Sequence, residues 1–309
     1  MVGVMRVHRP LLVLIAAAVA WSGPTTAAHA KLKLRLTAPS ASVQLPATDA
    51  LGSVFDESQR FSTRCRANER AISPGIVDAP RHIVSQSFGP SAVGGFAVGA
   101  PGKVRLRLQL LCASGANVTH TRVPAKTVPT GSSTLRATAK ARCPGGRVSL
   151  GAPLSQEFSP GLGRFTSRPV GKGGWETIVE GIPTTFPLDQ IEPAYADFAC
   201  VPAKSLKSVT TEQASTQDLH AATSATLTVK CGGGRRAVGW GVDLQPFTRS
   251  RWNTATAGWV LPLVRKATLS ASAVAFTFEI PAGGSPGGAN GLSAADVTQT
   301  AYVRCGKPA

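Results

Sequence analysis

The sequence predicts an all-β protein made of three tandem antiparallel β repeats, each closed by a disulfide. Two cysteine intervals are identical, because Cys112 to Cys143 and Cys200 to Cys231 both span 31 residues. Apolar and polar residues alternate on the approach to the cysteines, as on half-buried strands. No long stretch shows an apolar stripe with a period of 3.6 residues, so we expect little helix.

The first 30 residues predict a secretory signal peptide. Arg6 and Arg9 precede an apolar run at 11–21, and an A-x-A cleavage motif follows at 28–30. The run is too short to span a bilayer, and no second long apolar segment follows it. We therefore expect a mature chain that begins near Lys31, has no transmembrane segment and is exported to the cell envelope, the periplasm or the extracellular space.

The rest of the chain divides into three predicted repeats at 31–112, 113–200 and 201–309. Each has a lead of about 30 residues, an opening cysteine, a span of variable length and a closing cysteine. The spans grow from 47 to 57 to 74 residues, so the third repeat carries the longest insertion. Cys65 and Cys231 are both followed, after four residues, by Arg-Ala, an aliphatic residue, two more residues and Gly. Cys143 opens a shorter copy.

The strand that leads into each opening cysteine has a basic residue directly before the cysteine. These residues are Arg64, Arg142 and Lys230. Because successive side chains on a strand point to opposite faces, we expect each opening cysteine to face the core and each of these cations to face solvent.

The closing strands alternate in the same way. In the third repeat Ala301, Val303 and Cys305 share one face, and Tyr302 and Arg304 share the other. The pattern predicts that Tyr302 and Arg304 lie outside.

Six cysteines in an exported chain indicate disulfides. None has C-x-x-C spacing, which disfavours a zinc or redox site. We favour one bridge in each repeat, with the pairs 65–112, 143–200 and 231–305. The rival set, 112–143, 200–231 and 65–305, would link the repeats into a ring. In the favoured set the two strands of a pair run in a similar direction or meet across two packed sheets, since a bridge needs Cα atoms within about 7 Å.

The segments from Cys143 to Gly151 and from Cys231 to Gly241 resemble the repeat start of secreted, actinobacterial-type proteins. Those repeats open with Cys-Pro-x-Gly and close with an alternating strand that ends in Cys. The segments are also similar to the repeats of vitelline membrane outer layer proteins. The resemblance implies a β-prism with pseudo-threefold symmetry and secretion. Only Cys143 is followed by Pro, and the first copy has Pro74 within its strand.

The charge balance favours an anionic partner. The full chain has a net charge of +17, and the signal segment holds two of its 33 basic residues and none of its 16 acidic ones, which leaves +15. Such a charge favours cell-wall polymers, lipid head groups, polysaccharides or nucleic acid; the alternative is that it serves solubility alone. The sequence contains no H-E-x-x-H, G-x-S-x-G or P-loop motif, so we expect no cofactor, no metal and no enzymatic activity.

The variable spans are the predicted binding face, because insertions in repeat proteins cluster on one face. Arginine beside tryptophan suits stacking on sugar or base rings while an anion is paired. The candidate ligand residues are Arg164, Arg168, Lys172, Trp175, Arg249, Arg251, Trp252, Trp259 and Arg265. The alternative is that Trp252 and Trp259 cap the core.

The sequence thus predicts a secreted, non-catalytic binding or structural protein that contacts an anionic glycopolymer. One alternative is a secreted carbohydrate hydrolase with a carboxylate pair built from distant residues such as Glu176 and Asp197. The other is an effector that adheres to membranes or nucleic acid through charge. The oligomeric state stays open.

Overall fold

The computed structural model confirms the all-β, antiparallel fold with three disulfides. The residues that it describes are 31–40, 43–45, 59–78, 82–88, 92–98, 104–129, 135–151, 162–181, 195–216, 224–245, 263–279 and 298–309. Among these residues there is no α-helix, and the helical turns are two single 3-10 turns at Pro144–Gly146 and Ala203–Ser205.

The strands follow one another with short connections wherever both neighbours are described. In chain order they are β1 (Lys33–Leu36), β2 (Val43–Leu45), β3 (Gln59–Arg64), β4 (Arg70–Asp78), β5 (His82–Phe88), β6 (Ala92–Val98), β7 (Val104–Ser114), β8 (Thr119–Pro124), β9 (Lys126–Pro129), β10 (Leu135–Arg142), β11 (Val148–Leu150), β12 (Leu162–Val170), β13 (Gly174–Gly181), β14 (Tyr195–Val201), β15 (Leu206–Ser215), β16 (Ser224–Lys230), β17 (Arg236–Leu244), β18 (Leu263–Leu269), β19 (Ala273–Glu279) and β20 (Thr300–Pro308).

The strands pair into two large and two small sheets. Sheet I has the order β1-β7-β4-β18-β19-β16, with β2 also paired to β7, and sheet II has the order β15-β20-β17-β12-β13-β10-β9. Sheet III is β11-β14-β8 and sheet IV is β3-β6-β5. Every recorded pairing is antiparallel, which allows one face of a sheet to be apolar and the other to face water.

One order of pairing occurs in all three predicted repeats. The closing strand lies between the first strand and the strand after the opening cysteine, as in β1-β7-β4, β8-β14-β11 and β15-β20-β17. All the other strands except β2 and β9 form a second triplet in each repeat, as in β3-β6-β5, β10-β13-β12 and β16-β19-β18. Each stretch of chain thus builds two triplets of strands. The β-prism implied by the resemblance stays a prediction.

Triplets from different stretches share a sheet. The pairing of Ala267 with Ile76 joins β18 to β4 in sheet I, and the pairing of Phe165 with Leu244 joins β12 to β17 in sheet II. The third stretch therefore shares one sheet with the first and another with the second. This exchange makes the three stretches parts of one packed body rather than three separate sheets.

Three equivalent positions meet where β4, β11 and β17 pack together. Ser73, Gly151 and Gly239 are each the eighth residue after an opening cysteine. A Cβ added to Gly151 would lie 2.5 Å from the Ser73 Oγ, and one added to Gly239 would collide with the Gly151 backbone. Two of the three positions must therefore be glycine for the strands to approach this closely.

Aromatic rings fill the core between the sheets. Trp240 packs edge-on against Phe276 with ring centroids 5.6 Å apart, and its Nε1 donates to the Pro74 carbonyl at 2.5 Å. A second, smaller cluster places Trp175 against Phe198 at 6.3 Å. A bond across repeats thus satisfies the buried indole N–H of Trp240.

The disulfides confirm the favoured pairing and exclude the rival one. The bonded pairs are Cys65–Cys112, Cys143–Cys200 and Cys231–Cys305, with Cα distances of 5.8, 5.7 and 5.6 Å. In each pair the opening cysteine follows a strand of one sheet and the closing cysteine lies in a strand of another. The bridges therefore tie two sheets together, which is one of the two arrangements that the spacing predicted.

The prediction that Arg304 lies outside is wrong. Its side chain is only 2% exposed, and its Nη2 donates to the Ser149 Oγ at 2.8 Å. That serine belongs to β11 of sheet III, which covers the face of β20 that the alternation assigned to solvent. The alternation rule assumes a strand with one wet face, and β20 is covered on both. Tyr302, on the same side, is half-buried.

Candidate functional site

The outer face of sheet II carries two of the predicted ligand residues. Phe165 points into the core, so Arg164 next to it on β12 points outward. Its Nε and Nη2 donate to the two carboxylate oxygens of Asp243 at 3.1 and 2.8 Å. Thr166 also donates to Asp243, at 2.8 Å. This two-point contact fixes the guanidinium on the sheet, and the hydrogen bond with Asp243 raises the pKa of Arg164 above its ordinary value.

Arg168 lies on the same face, four residues after Arg164 along β12. Its Nε and Nη2 both donate to the Glu176 Oε2, at 3.2 and 3.1 Å. Lys140 approaches the other oxygen of Glu176 at 3.8 Å. Glu176, a candidate of the hydrolase alternative, therefore has two cations around its carboxylate.

Lys172 lies in the turn between β12 and β13, and it is exposed. Its carbonyl oxygen accepts the Ser149 N–H at 3.1 Å, which fixes the turn while the side chain extends into solvent. Of the predicted ligand residues that the structure describes, Lys172 is the one whose side chain is exposed.

The structure does not support Trp175 as a stacking surface. The residue is 0% exposed, its ring lies against Phe198, and its Nε1 donates to the Ser167 Oγ at 3.0 Å. Every face of the indole is used in packing, so no ring surface is left for a ligand. Trp175 is a core residue because β13 turns its odd-numbered side chains inward.

The remaining predicted residues do not join Arg164 and Arg168. Arg265 lies on β18 of sheet I, where its Nε pairs with Glu279 at 2.8 Å. The other four candidates, Arg249, Arg251, Trp252 and Trp259, lie outside the described residues. The structure therefore gathers two of the nine predicted residues on one sheet face and leaves the predicted cluster as a whole untested.

Metal-ligating groups within the described part of the chain are engaged elsewhere. Cys65, Glu69 and Cys112 lie close together, but the two sulfurs form a disulfide and Glu69 binds the Arg35 guanidinium through both carboxylate oxygens. His120 contacts the Ala71 carbonyl through Nε2 at 2.8 Å, and burial lowers the pKa of this imidazole below its ordinary value. It is neutral at pH 7.

Charge is distributed unevenly between the surface and the interior. Among the described residues, 18 basic side chains are exposed and no carboxylate is. The exposed cations are Lys31, Lys33, Arg64, Arg66, Arg70, Arg105, Arg107, Arg122, Lys126, Arg136, Lys140, Arg142, Lys172, Lys204, Lys207, Lys230, Lys266 and Lys307. The eight described carboxylates are buried or half-buried; they are Glu69, Asp78, Glu176, Glu180, Asp197, Glu212, Asp243 and Glu279.

Six of those eight carboxylates take part in ion pairs with arginine or lysine. The pairs are Arg35–Glu69, Arg136–Glu180, Lys140–Glu176, Arg168–Glu176, Arg164–Asp243, Arg235–Glu212 and Arg265–Glu279. Asp197, the other candidate of the hydrolase alternative, is 6% exposed within β14. The hydrolase alternative needs accessible carboxylates, and the structure places both Asp197 and Glu176 within sheets.

The sequence contained one signal for this distribution that the choice of candidate residues did not use. Arg64, Arg142 and Lys230, the residues before the opening cysteines, were predicted to face solvent, and all three are exposed. They lie outside the variable spans that were predicted to form the binding face.

No described helix is long and apolar enough to cross a membrane. The chain matches no protein-family model, and no curated protein matches it.

Proposed function

We propose that this protein is a secreted, non-catalytic binding protein of the cell envelope or extracellular space, and that it holds an anionic glycopolymer. One observation carries the proposal: the described surface exposes 18 cationic side chains and no carboxylate. A surface of this kind attracts a polyanion at many points, and none of its described carboxylates is exposed to repel the polyanion.

The interior explains why the positive charge at the surface is not cancelled. The described carboxylates are used to hold arginines on the sheets, as Asp243 holds Arg164 and Glu176 holds Arg168. Exposed ion pairs contribute little to stability, whereas half-buried, bidentate pairs fix side-chain positions. Most of the described acidic residues therefore serve the fold, and the excess of exposed cations on the described surface is left for a partner.

Three bridged cysteine pairs fit the export that the signal sequence predicts. A disulfide persists in oxidising compartments outside the cytosol. Anionic polymers that a protein meets there include carboxylated, sulfated and phosphate-bearing glycans. A cationic surface would therefore meet anionic glycans in the same compartment in which the disulfides are stable.

Binding to a matched pair of glucans tests the proposal. Dextran and dextran sulfate have the same backbone and differ in charge, so the oxidised, secreted protein should bind the sulfated chain and not the neutral one. Affinity should fall steeply when the salt concentration is raised from about 50 to 200 mM, because exposed charges are screened. Equal binding of both glucans, or binding of neither at low salt, would overturn the proposal.

The same panel separates the alternatives. Release of reducing ends from a carbohydrate panel would support the hydrolase instead. Retention on vesicles of anionic lipid or on DNA, with no retention on dextran sulfate or on isolated cell walls, would support the charge-driven effector. Either outcome removes the support for a glycopolymer-binding protein.

A further inference from the structure

The three disulfides mark one end of the molecule. In sheet I, Ala71 near the start of β4 pairs with Cys112 near the end of β7, and Lys33 at the start of β1 pairs with Ser114. In sheet II, Arg236 at the start of β17 pairs with Gly306 near the end of β20. We call this region the disulfide end: it contains the ends of β3, β7, β10, β14, β16 and β20, the starts of β1, β4, β8, β11, β15 and β17, and the turns that adjoin them.

Antiparallel pairing between stretches brings the three parts of the disulfide end together. Because Ala267 pairs with Ile76, the turn after β18 lies beside the start of β4. Because Ser167 pairs with Val242, the turn after β12 lies beside the start of β17. These two turns accept hydrogen bonds from opening cysteines, through the carbonyls of Gly173 and Ser272.

Side-chain contacts join the stretches at the same end. His120 at the start of β8 contacts the Ala71 carbonyl at 2.8 Å, which links the second stretch to the first. Arg236 donates to the Leu34 carbonyl at 3.5 Å, which links the third stretch to the first. The disulfide end is therefore one continuous surface.

Most of the exposed positive charge lies on this surface. Eleven of the 18 exposed cations belong to it: Lys31, Lys33, Arg64, Arg66, Arg70, Arg142, Lys172, Lys204, Lys207, Lys230 and Lys307. The described carboxylates at this end are Glu69, which is buried and bound to Arg35, and Glu212, which is half-buried and bound to Arg235 in the turn before β17. The other seven exposed cations lie along the strands, where five of the seven ion pairs are found.

The surface has the size that a polymer needs. At this end sheet I presents six adjacent strands, from β1 to β16, and sheet II presents six, from β15 to β10, so five spacings of about 4.8 Å give each sheet an edge of about 24 Å. Adjacent strands lie about 4.8 Å apart, which is less than the screening length of about 8 Å at physiological salt, so the fields of cations on adjacent strands add. An extended polyanion can therefore contact cations from more than one stretch of the chain at once.

The side chains at this end favour a partner recognised by charge. Seven of the eleven cations are lysines, which present compact, hydrated charges rather than planar forks. The one large apolar side chain that is exposed among the described residues is Val128, on β9 away from this end. Nucleic-acid bases are held by stacking on aromatic rings, and membranes by inserted apolar groups. An anionic glycan needs neither of these.

We propose that the disulfide end is the surface that binds the anionic glycopolymer, with the cations before the three opening cysteines as its shared anchors. The inference rests on the proposed function and adds the place of binding. Arg64, Arg142 and Lys230 occupy equivalent positions in the three stretches, and all three are exposed. Each contributes one cation from its own stretch to the same end.

Two sets of charge reversals test the location. The first set combines Arg64→Glu, Arg142→Glu and Lys230→Glu at the disulfide end. The control set combines three exposed cations along the strands, Arg105→Glu, Lys126→Glu and Lys266→Glu, and lowers the net charge by the same amount.

Binding of dextran sulfate to the full, oxidised protein is then measured for both sets. We expect the dissociation constant to rise at least tenfold for the first set and less than threefold for the control set. Equal losses in the two sets, or a larger loss in the control set, would overturn the location. If the wild-type protein does not bind dextran sulfate, the proposed function itself fails, so the two failures are distinguishable.

A neutral version of the same comparison guards against misfolding. Glutamine replaces glutamate at all six positions, and circular dichroism and the absence of free thiols confirm the fold of each variant. The first neutral set should weaken binding more than the neutral control set. It should also reduce the slope of log Kd against log salt by about three, because three charge contacts are lost and each releases about one counterion, by analogy with nucleic acids. An unchanged slope in the first neutral set would contradict the proposal.

Discussion

Arg304 offers the sharpest test of the packing described above. Its guanidinium is 98% removed from solvent, and it donates to two neutral hydroxyls, the Ser149 Oγ at 2.8 Å and the Thr211 Oγ1 at 2.9 Å. None of the carboxylates in the described part of the chain forms an ion pair with it. Burial lowers its pKa to about 10.

The proposed change is Arg304→Met, which keeps an unbranched side chain and removes the charge. Burial lowers the pKa of Arg304 from the ordinary value of an arginine to about 10. At about 1.4 kcal/mol per pKa unit, this corresponds to a cost of about 3 kcal/mol for keeping the charged form in the folded protein. Loss of two hydrogen bonds costs about 1 kcal/mol each. We therefore expect the variant to be more stable than the wild type by about 1 kcal/mol.

The equivalent positions support this expectation. Leu111 and Ala199 stand directly before the other two closing cysteines, and both are buried. The fold accepts an apolar side chain there twice. Ser149 keeps a partner in the variant, because its hydroxyl also donates to the Gly174 carbonyl at 2.9 Å.

The assay is equilibrium unfolding in guanidinium chloride with the disulfides intact, first at pH 7.5 and then at rising pH. The unfolded state binds more protons than the folded state between about pH 10 and 12.5, so wild-type stability rises relative to the variant across that window. The advantage of the variant should therefore shrink as the pH passes 10. A control variant, Arg164→Met, should lose stability at pH 7.5, because it leaves the buried Asp243 carboxylate without its arginine.

A loss of more than about 1 kcal/mol in the free energy of unfolding of Arg304→Met, with a native fold by circular dichroism, would contradict a net cost of burying this guanidinium. A stability difference that does not change with pH would contradict it as well. Either result would mean that the guanidinium is held by a counter-charge.

Three further predictions follow from the same structure. Gly239→Ala should lower the free energy of unfolding by about 3 kcal/mol or more, because the added Cβ meets backbone of a neighbouring strand that cannot move aside; denaturant unfolding measures this. Replacing Cys143 and Cys200 together by serine should cost about 4 kcal/mol on the chain-entropy model, and a thermal melt under non-reducing conditions should show it. Hydrogen bonding to Arg35 lowers the pKa of Glu69, so the stability from this pair is present above pH 4.5 and is lost as the pH falls through the folded-state value. Glu69→Gln should therefore make unfolding less dependent on pH below about 5, as an acid titration followed by circular dichroism would reveal.

The cysteine pattern was predictable because it depends on local geometry and chain spacing. Alternation along a strand determines the face of the strand to which each cysteine side chain points. A disulfide requires the two cysteine-bearing faces to lie against each other. Those rules act within a few residues of Cys65, Cys143 and Cys231. They gave the favoured pairing and the exposure of the preceding cations without any knowledge of the sheets.

The burial of Arg304 and Trp175 was not predictable in the same way. Arg304 is buried because β11, more than 150 residues earlier in the chain, covers its strand. Trp175 follows a glycine-rich turn and lies near arginines, which made it resemble a ligand-binding residue, yet its strand faces Phe198. In both cases the deciding neighbour comes from a distant part of the sequence, and periodicity carries no information about it.

The placement of charge at the disulfide end follows from the bridges. Each opening cysteine must point inward to reach its partner, so the residue directly before it on the strand must point outward. The sequence places a cation in that outward position three times, at Arg64, Arg142 and Lys230. Any polar residue would satisfy the fold there, because the position is exposed in all three stretches. The fold requires exposure at these sites but does not require positive charge. Attraction of a negatively charged partner is therefore what Arg64, Arg142 and Lys230 contribute beyond the fold.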